Sequence, residues 1–170
     1  MLKKSLLIAI VMFFSVLPLA AQQLEVGMEA PDFELKDQLS IPYKLSQFRG
    51  IAPVIIYFYP KAATPGCTKQ ACGIRDNYNS FIENNVYVLG ISVDDKESIE
   101  KFANDNEIWF PLLSDADKKV SKAYGVLNEK GVASRVTFII DKDRKIAKIM
   151  RDINIDTHAE DVLKYALTLK

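Results

Sequence analysis

Cysteine and histidine are the scarcest reactive residues of this 170-residue sequence, which has two cysteines and one histidine. That set cannot supply the four protein ligands of a structural zinc site. Lysine and arginine together number 22, the same as aspartate and glutamate, and no long basic run occurs. The balanced charge gives no electrostatic reason to expect nucleic acid as a partner.

Glycine and proline are also few, at seven each, and no internal repeat, linker or low-complexity segment interrupts the chain. Hydrophobic residues make up 49% of the sequence and charged residues 26%. This balance is typical of a globular protein and not of a disordered or fibrous one. The sequence therefore predicts one folded domain.

The beginning of the chain differs from the rest. Two lysines precede a nearly unbroken apolar run from Leu6 to Leu17, which a proline and small residues follow. This order is typical of a secretory signal, and the run is shorter than the roughly 20 apolar residues that a membrane span needs. We expect a signal peptide over residues 1–21, cut after Ala20 or Ala21, and a mature domain over residues 22–170.

Such a signal predicts export, in a bacterium to the periplasm. Cleavage would leave the mature domain without stable membrane association, whereas an uncut signal would act as an N-terminal anchor. Exported proteins meet an oxidising environment, in which two cysteines form a structural disulfide by default. The positions of Cys67 and Cys72 must be weighed against that default.

Strand and helix patterns alternate along the mature chain. The segments APVIIYFYP and NVYVLGISV predict two buried strands, while apolar positions Ala71, Ile74, Tyr78 and Phe81 predict one helix that begins near Cys67. The segment DDKESIEKFANDN predicts a second helix.

The N-terminus of that second helix carries a capping pattern, with Asp94 at the cap and Glu97 three residues later. A short strand in WFPLLSD and a short helix that ends at Gly125 follow. A strand pair in SRVTFIID and KIAKIMRD and a last helix from Thr157 complete the pattern. The sequence predicts an α/β fold with one central mixed sheet flanked by helices on both faces.

The helical pattern constrains the two cysteines. Residues five apart on an α-helix have Cα atoms about 8.6 Å apart, whereas a disulfide needs Cα atoms within about 7 Å. Cys67 and Cys72 can therefore bridge only after the helix unwinds locally. This favours a redox pair over a structural disulfide, which would close a small loop and stabilise little by chain entropy, but it leaves the structural bridge open.

Position distinguishes the two thiols. Cys67 falls in the first helical turn, where unpaired N–H groups and the helix dipole favour a thiolate. Cys72 lies more than a turn further on and lacks this stabilisation. We interpret Cys67 as the nucleophile and Cys72 as the thiol that receives its oxidised product.

The turn before Cys67 supplies polar partners. Thr64 stands three residues ahead of Cys67, where its hydroxyl can face the same space, and Pro65 and Gly66 fix a turn with backbone N–H groups near the sulfur. A helix cap alone would explain these residues. Together with a thiolate they predict a site for a small substrate that carries oxygen.

These motifs resemble a known family. The pattern Pro60-x-x-x-Thr64-x-x-Cys67 resembles the active-site signature of peroxiredoxins, and a second cysteine at Cys72, followed by Arg75 and an aspartate, is similar to the subfamily called peroxiredoxin Q or bacterioferritin-comigratory protein. The likeness extends through APDFEL, LGISVD, FPLLSD, AYGV and RVTFIID. It covers nearly all of the chain after the first 21 residues.

The resemblance implies a thioredoxin-like fold and a thiol peroxidase. Cys67 would be the peroxidatic cysteine, Thr64 its hydroxyl partner, and Arg135 the guanidinium that reaches the thiolate from a later strand. Without the resemblance, Arg135 would be interpreted as a surface residue. Pro60, Pro65 and Gly66 would line the substrate site.

In the implied cycle, the Cys67 thiolate attacks the O–O bond of hydrogen peroxide or an organic hydroperoxide and becomes a sulfenic acid. Cys72 then condenses with it to an intramolecular disulfide, which a thioredoxin-like dithiol partner reduces. No metal, haem, flavin or nucleotide cofactor is required. Because the disulfide forms within one chain, we expect a monomer.

The sequence departs from its relatives at three positions. Relatives commonly carry acidic residues where Gln70, Ala62 and Ala63 stand. The departures remove negative charge near the expected site, which bears on the tuning of the thiol and on contacts with a partner, and they leave Pro60, Thr64, Cys67 and Arg135 in place.

Three other functions can be compared with this interpretation. An exported thiol-disulfide oxidoreductase without peroxidase activity is the alternative, although that chemistry typically uses cysteines two residues apart. A Cys-His hydrolase would require His158 to reach Cys67, and we expect His158 to be a solvated surface residue. A binding module with a structural disulfide would leave Thr64 and Arg135 without a role.

Overall fold

The computed structural model describes residues 23–169. The signal peptide expected over residues 1–21 lies outside this part of the chain. The strands are β1 (Glu34–Asp37), β2 (Pro42–Lys44), β3 (Val54–Phe58), β4 (Tyr87–Ser92), β5 (Leu112–Ser114), β6 (Val136–Ile140) and β7 (Ile146–Met150). The helices are α1 (Pro65–Asp76), α2 (Tyr78–Glu83), α3 (Lys96–Asp105), α4 (Lys119–Ala123) and α5 (His158–Ala166), with short 3₁₀ helices at Leu45–Phe48 and Leu167–Leu169.

All seven strands form one mixed sheet in the order β2-β1-β5-β4-β3-β6-β7. The central strands β5, β4 and β3 run parallel to one another, while β6 pairs antiparallel with β3, and β7 antiparallel with β6. On the other side, β1 pairs antiparallel with both β5 and β2. The central position of β3 agrees with its uninterrupted run of β-branched and aromatic residues, since both of its faces must be covered.

Alternate residues of β3 enter two separate apolar clusters, one on each face of the sheet. Ile55 and Tyr57 pack with residues of α1, α2, α3 and α5. Val54, Ile56 and Phe58 pack on the other face with α4 and the first 3₁₀ helix. Burying each of these large side chains contributes about 1.5–3 kcal/mol. The expected α/β sheet with helices on both faces is confirmed.

The helix expected from Cys67 through Phe81 is in fact two helices. Asn77 separates α1 from α2, with φ −101° and ψ 1°, and its side-chain amide donates to the Gly73 carbonyl at 2.9 Å. The amide thus satisfies one of the carbonyls that the end of α1 leaves unpaired. The apolar spacing continues across the break, which is why periodicity alone did not detect it.

The cap expected for α3 was wrong by one residue. Asp95, and not Asp94, is the N-cap, and its carboxylate accepts a hydrogen bond from the backbone N–H of Ser98 at 2.8 Å. Two consecutive aspartates made the register ambiguous, and Asp94 has a contact elsewhere that takes it away from the helix. Between residues 23 and 169, none of the helices is long and apolar enough to span a bilayer.

Candidate active site

The topology brings two distant segments together at the carboxyl end of β3. Phe58, the last residue of β3, pairs with Val136, the first residue of β6, because the two strands run antiparallel. The loop that leads to α1 leaves the sheet here, and Arg135 stands one residue before β6. A residue 68 positions after Cys67 therefore comes to lie beside it.

Cys67 occupies the third position of α1, after Pro65 and Gly66. The first hydrogen bond of the helix runs from the Thr68 N–H to the Thr64 carbonyl at 2.8 Å, so the N–H groups of Gly66 and Cys67 have no acceptor within the helix. The side chain of Cys67 is 2% exposed and packs in the cluster beneath α1. A thiolate here would lie at the positive end of the helix dipole.

Arg135 contacts the sulfur directly. Its Nη2 donates to Cys67 Sγ at 3.3 Å, and its Nη1 donates to the side-chain oxygen of Gln70. A guanidinium has donors only, so both contacts are of the kind that an anionic sulfur and an amide oxygen accept. The half-buried arginine places a fixed positive charge against the thiol.

A chain of hydrogen bonds leads from Arg135 through Gln70 to His158 in the interior. The Gln70 amide nitrogen lies 3.1 Å from His158 Nδ1, and His158 Nε2 lies 2.9 Å from the Thr137 hydroxyl. The expectation of a solvated histidine is wrong, since His158 is 1% exposed. The start of α5 faces α1 across the sheet end, and burial, together with Arg135, lowers the pKa of His158 to about 4. The imidazole is neutral at pH 7.

Thr64 and the two residues after it form the entrance to the helix. Thr64 is the N-cap in an extended conformation, and its hydroxyl donates to the Lys61 carbonyl at 2.9 Å. Because its proton is engaged there, the hydroxyl oxygen is left to accept. The exposed Pro65 begins the helix at a position where the missing N–H costs nothing.

Gly66 keeps the space beside the guanidinium open. A Cβ at this position would lie 3.4 Å from Arg135 Nη2 and 3.6 Å from Ile155 Cδ1. Any longer side chain would fill the gap between these two groups. Pro60, half-buried, follows β3 and begins the same loop.

Asp94 holds that loop from the neighbouring strand. Its carboxylate accepts a hydrogen bond from the Ala62 N–H at 2.8 Å. Ala63, the next residue, has a left-handed backbone with φ 58°, which non-glycine residues seldom adopt unless their surroundings hold them there. The contact arises because β3 and β4 are parallel, so that their carboxyl ends lie at the same edge of the sheet.

Two tyrosines form part of the floor of the site. The rings of Tyr57 and Tyr59 stack with centroids 5.6 Å apart in the cluster that includes Cys67. Burial raises the pKa of both phenols above the usual range. Both hydroxyls are therefore neutral, and no phenolate competes with a thiolate for the charge of Arg135.

Cys72 lies in the second half of α1 and is half-buried. Both cysteines are free, and both have helical neighbours on either side. The structure thus brings Cys67 and Arg135 into contact and leaves Cys72 on an intact helix, with no bond between the two thiols.

Three residues of this arrangement were missed or misjudged from the sequence. Gln70 was noted only as a departure, although a polar residue three after Cys67 on an apolar helix face signals a buried partner. His158 was placed on the surface, and no local pattern marked it as buried. Asp94 was assigned to a helix cap.

The fold and the site are those of a thiol enzyme: a mixed sheet with a cysteine at a helix N-terminus beside a guanidinium. Comparisons with known proteins agree. The model of the AhpC/TSA family matches residues 26–149. Peroxiredoxin Bcp of Escherichia coli (strain K12) is 42% identical over 149 residues, which cover 84% of this chain and 95% of that protein.

Solved structures give the same result. BcpB, a peroxidoxin of Mycobacterium tuberculosis, matches with a TM-score of 0.80 and 37% identity over 87% of this chain and 99% of its own. The bacterioferritin comigratory protein of Xanthomonas campestris, whose structure is described as giving insight into its alkyl peroxide reduction activity, matches with a TM-score of 0.76 and 27% identity, over 85% and 98% of the two chains.

The chain belongs to the AhpC/TSA family, and its relatives are peroxiredoxins of the Bcp type. It has the thioredoxin-like peroxiredoxin fold and is a thiol peroxidase, an oxidoreductase that uses a peroxide and a thiol reductant. The resemblance to peroxiredoxins is confirmed, and so is the function that it implied at this level.

Proposed function

We propose that Cys67 is the peroxidatic residue and that it reduces both hydrogen peroxide and organic hydroperoxides. The contact of Arg135 Nη2 with Cys67 Sγ at 3.3 Å carries this proposal. The thiolate attacks one oxygen of the substrate, the O–O bond breaks, and the other oxygen leaves as water or an alcohol after taking up a proton. Cys67 becomes a sulfenic acid.

Arg135 stabilises both partners of this step. Its fork of donors can serve the sulfur anion and a peroxide oxygen at once, and the negative charge that develops on the leaving oxygen stays within its field. The Thr64 hydroxyl accepts the hydrogen of the hydroperoxide, since its own proton is donated to Lys61. Gly66 leaves room for the substrate beside the guanidinium.

Pro60 and Pro65 give the loop its shape. Proline restricts φ on either side of the Thr64 turn, and the Asp94 contact with Ala62 anchors the loop between them. A site held in this way can present the Thr64 hydroxyl and the helix N–H groups without reorganisation during the reaction.

Cys72 completes the cycle. After α1 unwinds locally, the Cys72 thiol attacks the sulfenic sulfur, a disulfide forms, and the sulfenic oxygen leaves as water. A thioredoxin-like dithiol partner then reduces the disulfide by thiol exchange and becomes oxidised in turn. The half-buried position of Cys72 on the same helix supports this role.

A coupled assay tests the activity. Wild type and Cys67→Ser would be supplied with thioredoxin, thioredoxin reductase and NADPH, and NADPH loss would be followed with hydrogen peroxide and with cumene hydroperoxide. We expect turnover of both substrates by wild type and none by Cys67→Ser. Equal rates for the two proteins would overturn the assignment of Cys67.

The first 21 residues act, in this proposal, as a cleaved signal that exports the mature domain over residues 22–170, in a bacterium to the periplasm. The lysines and the apolar run of the sequence support it. N-terminal sequencing of the protein from fractionated cells should find a periplasmic chain that begins after Ala20 or Ala21. A cytosolic chain that begins at Met1 would contradict it.

The exported enzyme is a monomer in this proposal, since both cysteines of the cycle belong to one chain. Light scattering of the reduced and oxidised protein should give the mass of one chain in both states. A dimer in either state would contradict it.

A further inference from the structure

We propose that Gln70 and His158 are positioning residues for the peroxidase reaction. A chain of neutral hydrogen bonds from Thr137 through His158 and Gln70 fixes the Arg135 guanidinium against Cys67. This inference rests on the proposed role of Arg135 at Cys67.

The chemistry of the groups fixes the direction of every bond in the chain. Arg135 can only donate, so the Gln70 oxygen must face it and the Gln70 NH₂ must face His158. An amide NH₂ can only donate, so His158 Nδ1 must be unprotonated. The imidazole proton then resides on Nε2, which donates to the Thr137 hydroxyl at 2.9 Å.

The same logic excludes a charged histidine from the chain. A proton on Nδ1 would face the Gln70 NH₂, donor against donor. If the amide turned over to accept it, its NH₂ would face Arg135, which has no acceptor. The chain therefore holds only with a neutral imidazole, and burial keeps His158 neutral by lowering its pKa to about 4.

Burial makes the chain rigid. Gln70 and His158 are each 1% exposed, and Thr137 is fully buried in the central part of β6. Arg135 itself is half-buried at the edge of the sheet, where its long side chain would otherwise sample several rotamers. Anchoring one nitrogen of the fork through Gln70 leaves Nη2 aimed at the sulfur.

A neutral anchor also preserves the charge of Arg135. A carboxylate at position 70 would form an ion pair with the guanidinium and offset part of its field at Cys67. The amide accepts the same hydrogen bond without a negative charge. Gln70 and the buried His158 thus act together, since the amide needs an acceptor for its NH₂ and finds it in the neutral imidazole.

The protonation pattern can be tested directly, because His158 is the only histidine. In protein with ¹⁵N-labelled histidine, NMR at pH 7 should show the Nε2–H form in wild type. Gln70→Glu should place a proton on Nδ1, since a carboxylate cannot donate to it. An Nδ1–H form in wild type would overturn the chain.

The positioning role is tested by the second-order rate constant for hydrogen peroxide, measured by stopped flow from pH 4.5 to 8.5. His158→Phe removes both contacts of the imidazole, and we expect the rate constant to fall about tenfold to a hundredfold, since misplacing a group by about 1 Å costs that much. We also expect the midpoint of the pH–rate profile to rise. His158→Gln can accept from Gln70 and donate to Thr137, and it should keep the rate within about threefold.

A matched variant separates positioning from folding. Val162→Ala, on the same helix and fully buried, should lower the denaturation midpoint and leave the rate constant and its pH profile unchanged. Should His158→Phe fail to fold, Gln70→Met breaks the chain one residue nearer to Arg135 and carries the same expectation.

Arg135→Ala distinguishes a failure of the positioning role of Gln70 and His158 from a failure of the proposed role of Arg135. If it is slow while His158→Phe and Gln70→Met react as fast as wild type, only the positioning role is overturned. If Arg135→Ala is also as fast as wild type, the proposed role of Arg135 fails.

Discussion

The two halves of α1 carry one cysteine each, and they are held in different ways. In the first half, Cys67 and Gln70 are buried and bound to Arg135. In the second half, Cys72 is half-buried, and the half-buried Arg75 pairs with Asp76 and donates to the Asn106 carbonyl. Both halves pack on the core, since Ala71 and Ile74 of the second half are also buried, but only the first half contacts Arg135.

This difference suits the proposed cycle, which makes two demands on α1. Attack on peroxide requires a sulfur held in a fixed position, and the Arg135 contact holds Cys67 in the first half. Disulfide formation requires part of α1 to unwind, since helical cysteines five apart cannot bridge. We infer that the second half unwinds more readily, because the helix ends at Asn77 and the Arg75–Asp76 pair that flanks its end lies at the surface.

Replacing Arg135, which contacts the first half of α1, and Arg75, in the second half, should give the largest difference in the peroxide rate constant. Arg135→Ala removes the donor to Cys67 and should lower the rate constant for hydrogen peroxide about 10²–10³-fold, the usual cost of losing one such donor. Arg75→Ala, beside Cys72, should change it less than about threefold. Stopped-flow measurement of both variants checks this, and equal losses would show that the two halves do not differ in function.

The buried His158, which contacts Gln70 in the first half of α1, predicts that the stability of the protein depends on pH. The pKa of His158 is about 4 when folded and about 6.5 when unfolded, so the unfolded chain binds the extra proton as the pH falls between these values. The free energy of unfolding should therefore lose about 2–3 kcal/mol from His158 between pH 7 and pH 4.5, and keep its full value above about pH 6.5.

Urea denaturation at both pH values measures this loss. His158→Gln removes the imidazole and leaves the other titrating groups in place, so its stability should fall less than that of wild type by about 2–3 kcal/mol. An identical pH dependence in the two proteins would show that His158 does not titrate on unfolding.

Stabilising the second half of α1 should slow only disulfide formation, the second step of the proposed cycle. Gly73 lies inside α1, and a Cβ there would meet nothing within 4 Å, so Gly73→Ala should stabilise the helix by about 1 kcal/mol. If unwinding precedes disulfide formation, that step should slow about fivefold, while the rate constant for peroxide stays the same.

Stopped-flow fluorescence, combined with counting of free thiols in quenched samples, separates the reaction with peroxide from disulfide formation. Asn104→Ala, on an exposed position of α3, gives a similar gain in helix propensity and should leave both rates unchanged. Disulfide formation as fast in Gly73→Ala as in wild type would argue against unwinding of that half.

The smallest effect is expected at the surface contact of the first half. Lys69 pairs with Asp156 across the gap to the loop before α5, and both side chains are more than half exposed. Lys69→Ala should destabilise the protein by less than about 1 kcal/mol and barely change the peroxide rate. If Lys69→Ala lowered the peroxide rate constant as much as Arg135→Ala, the first half of α1 would be held mainly by the Lys69–Asp156 ion pair at the surface.

The sequence was sufficient to predict the parts that depend on local pattern. The hydrophobic run of β3, the helix that begins near Cys67 and the α/β layering were predicted from periodicity, and the pairing of Arg135 with the site from a family resemblance. The break at Asn77 was not predictable from spacing, because the apolar positions continue through it.

Contacts between distant segments were the least predictable. Gln70 and His158 are 88 residues apart, and only the packing of α5 against the sheet end brings them together. The pattern around His158 is that of an ordinary helix start. A polar pair that is buried by tertiary packing leaves no periodic trace in either of its segments, so its existence had to come from the structure.

Intact mass is the most direct test of the central claim that Cys67 reacts and Cys72 resolves. Reduced wild type, Cys67→Ser and Cys72→Ser would each receive one equivalent of hydrogen peroxide, with thiol content followed in parallel. We predict that wild type loses two hydrogens and both thiols, that Cys72→Ser gains one oxygen as a trapped sulfenic acid, and that Cys67→Ser is unchanged. A wild-type Cys67 that reacts no faster than an ordinary thiol, or a sulfenic acid found on Cys72, would contradict the account.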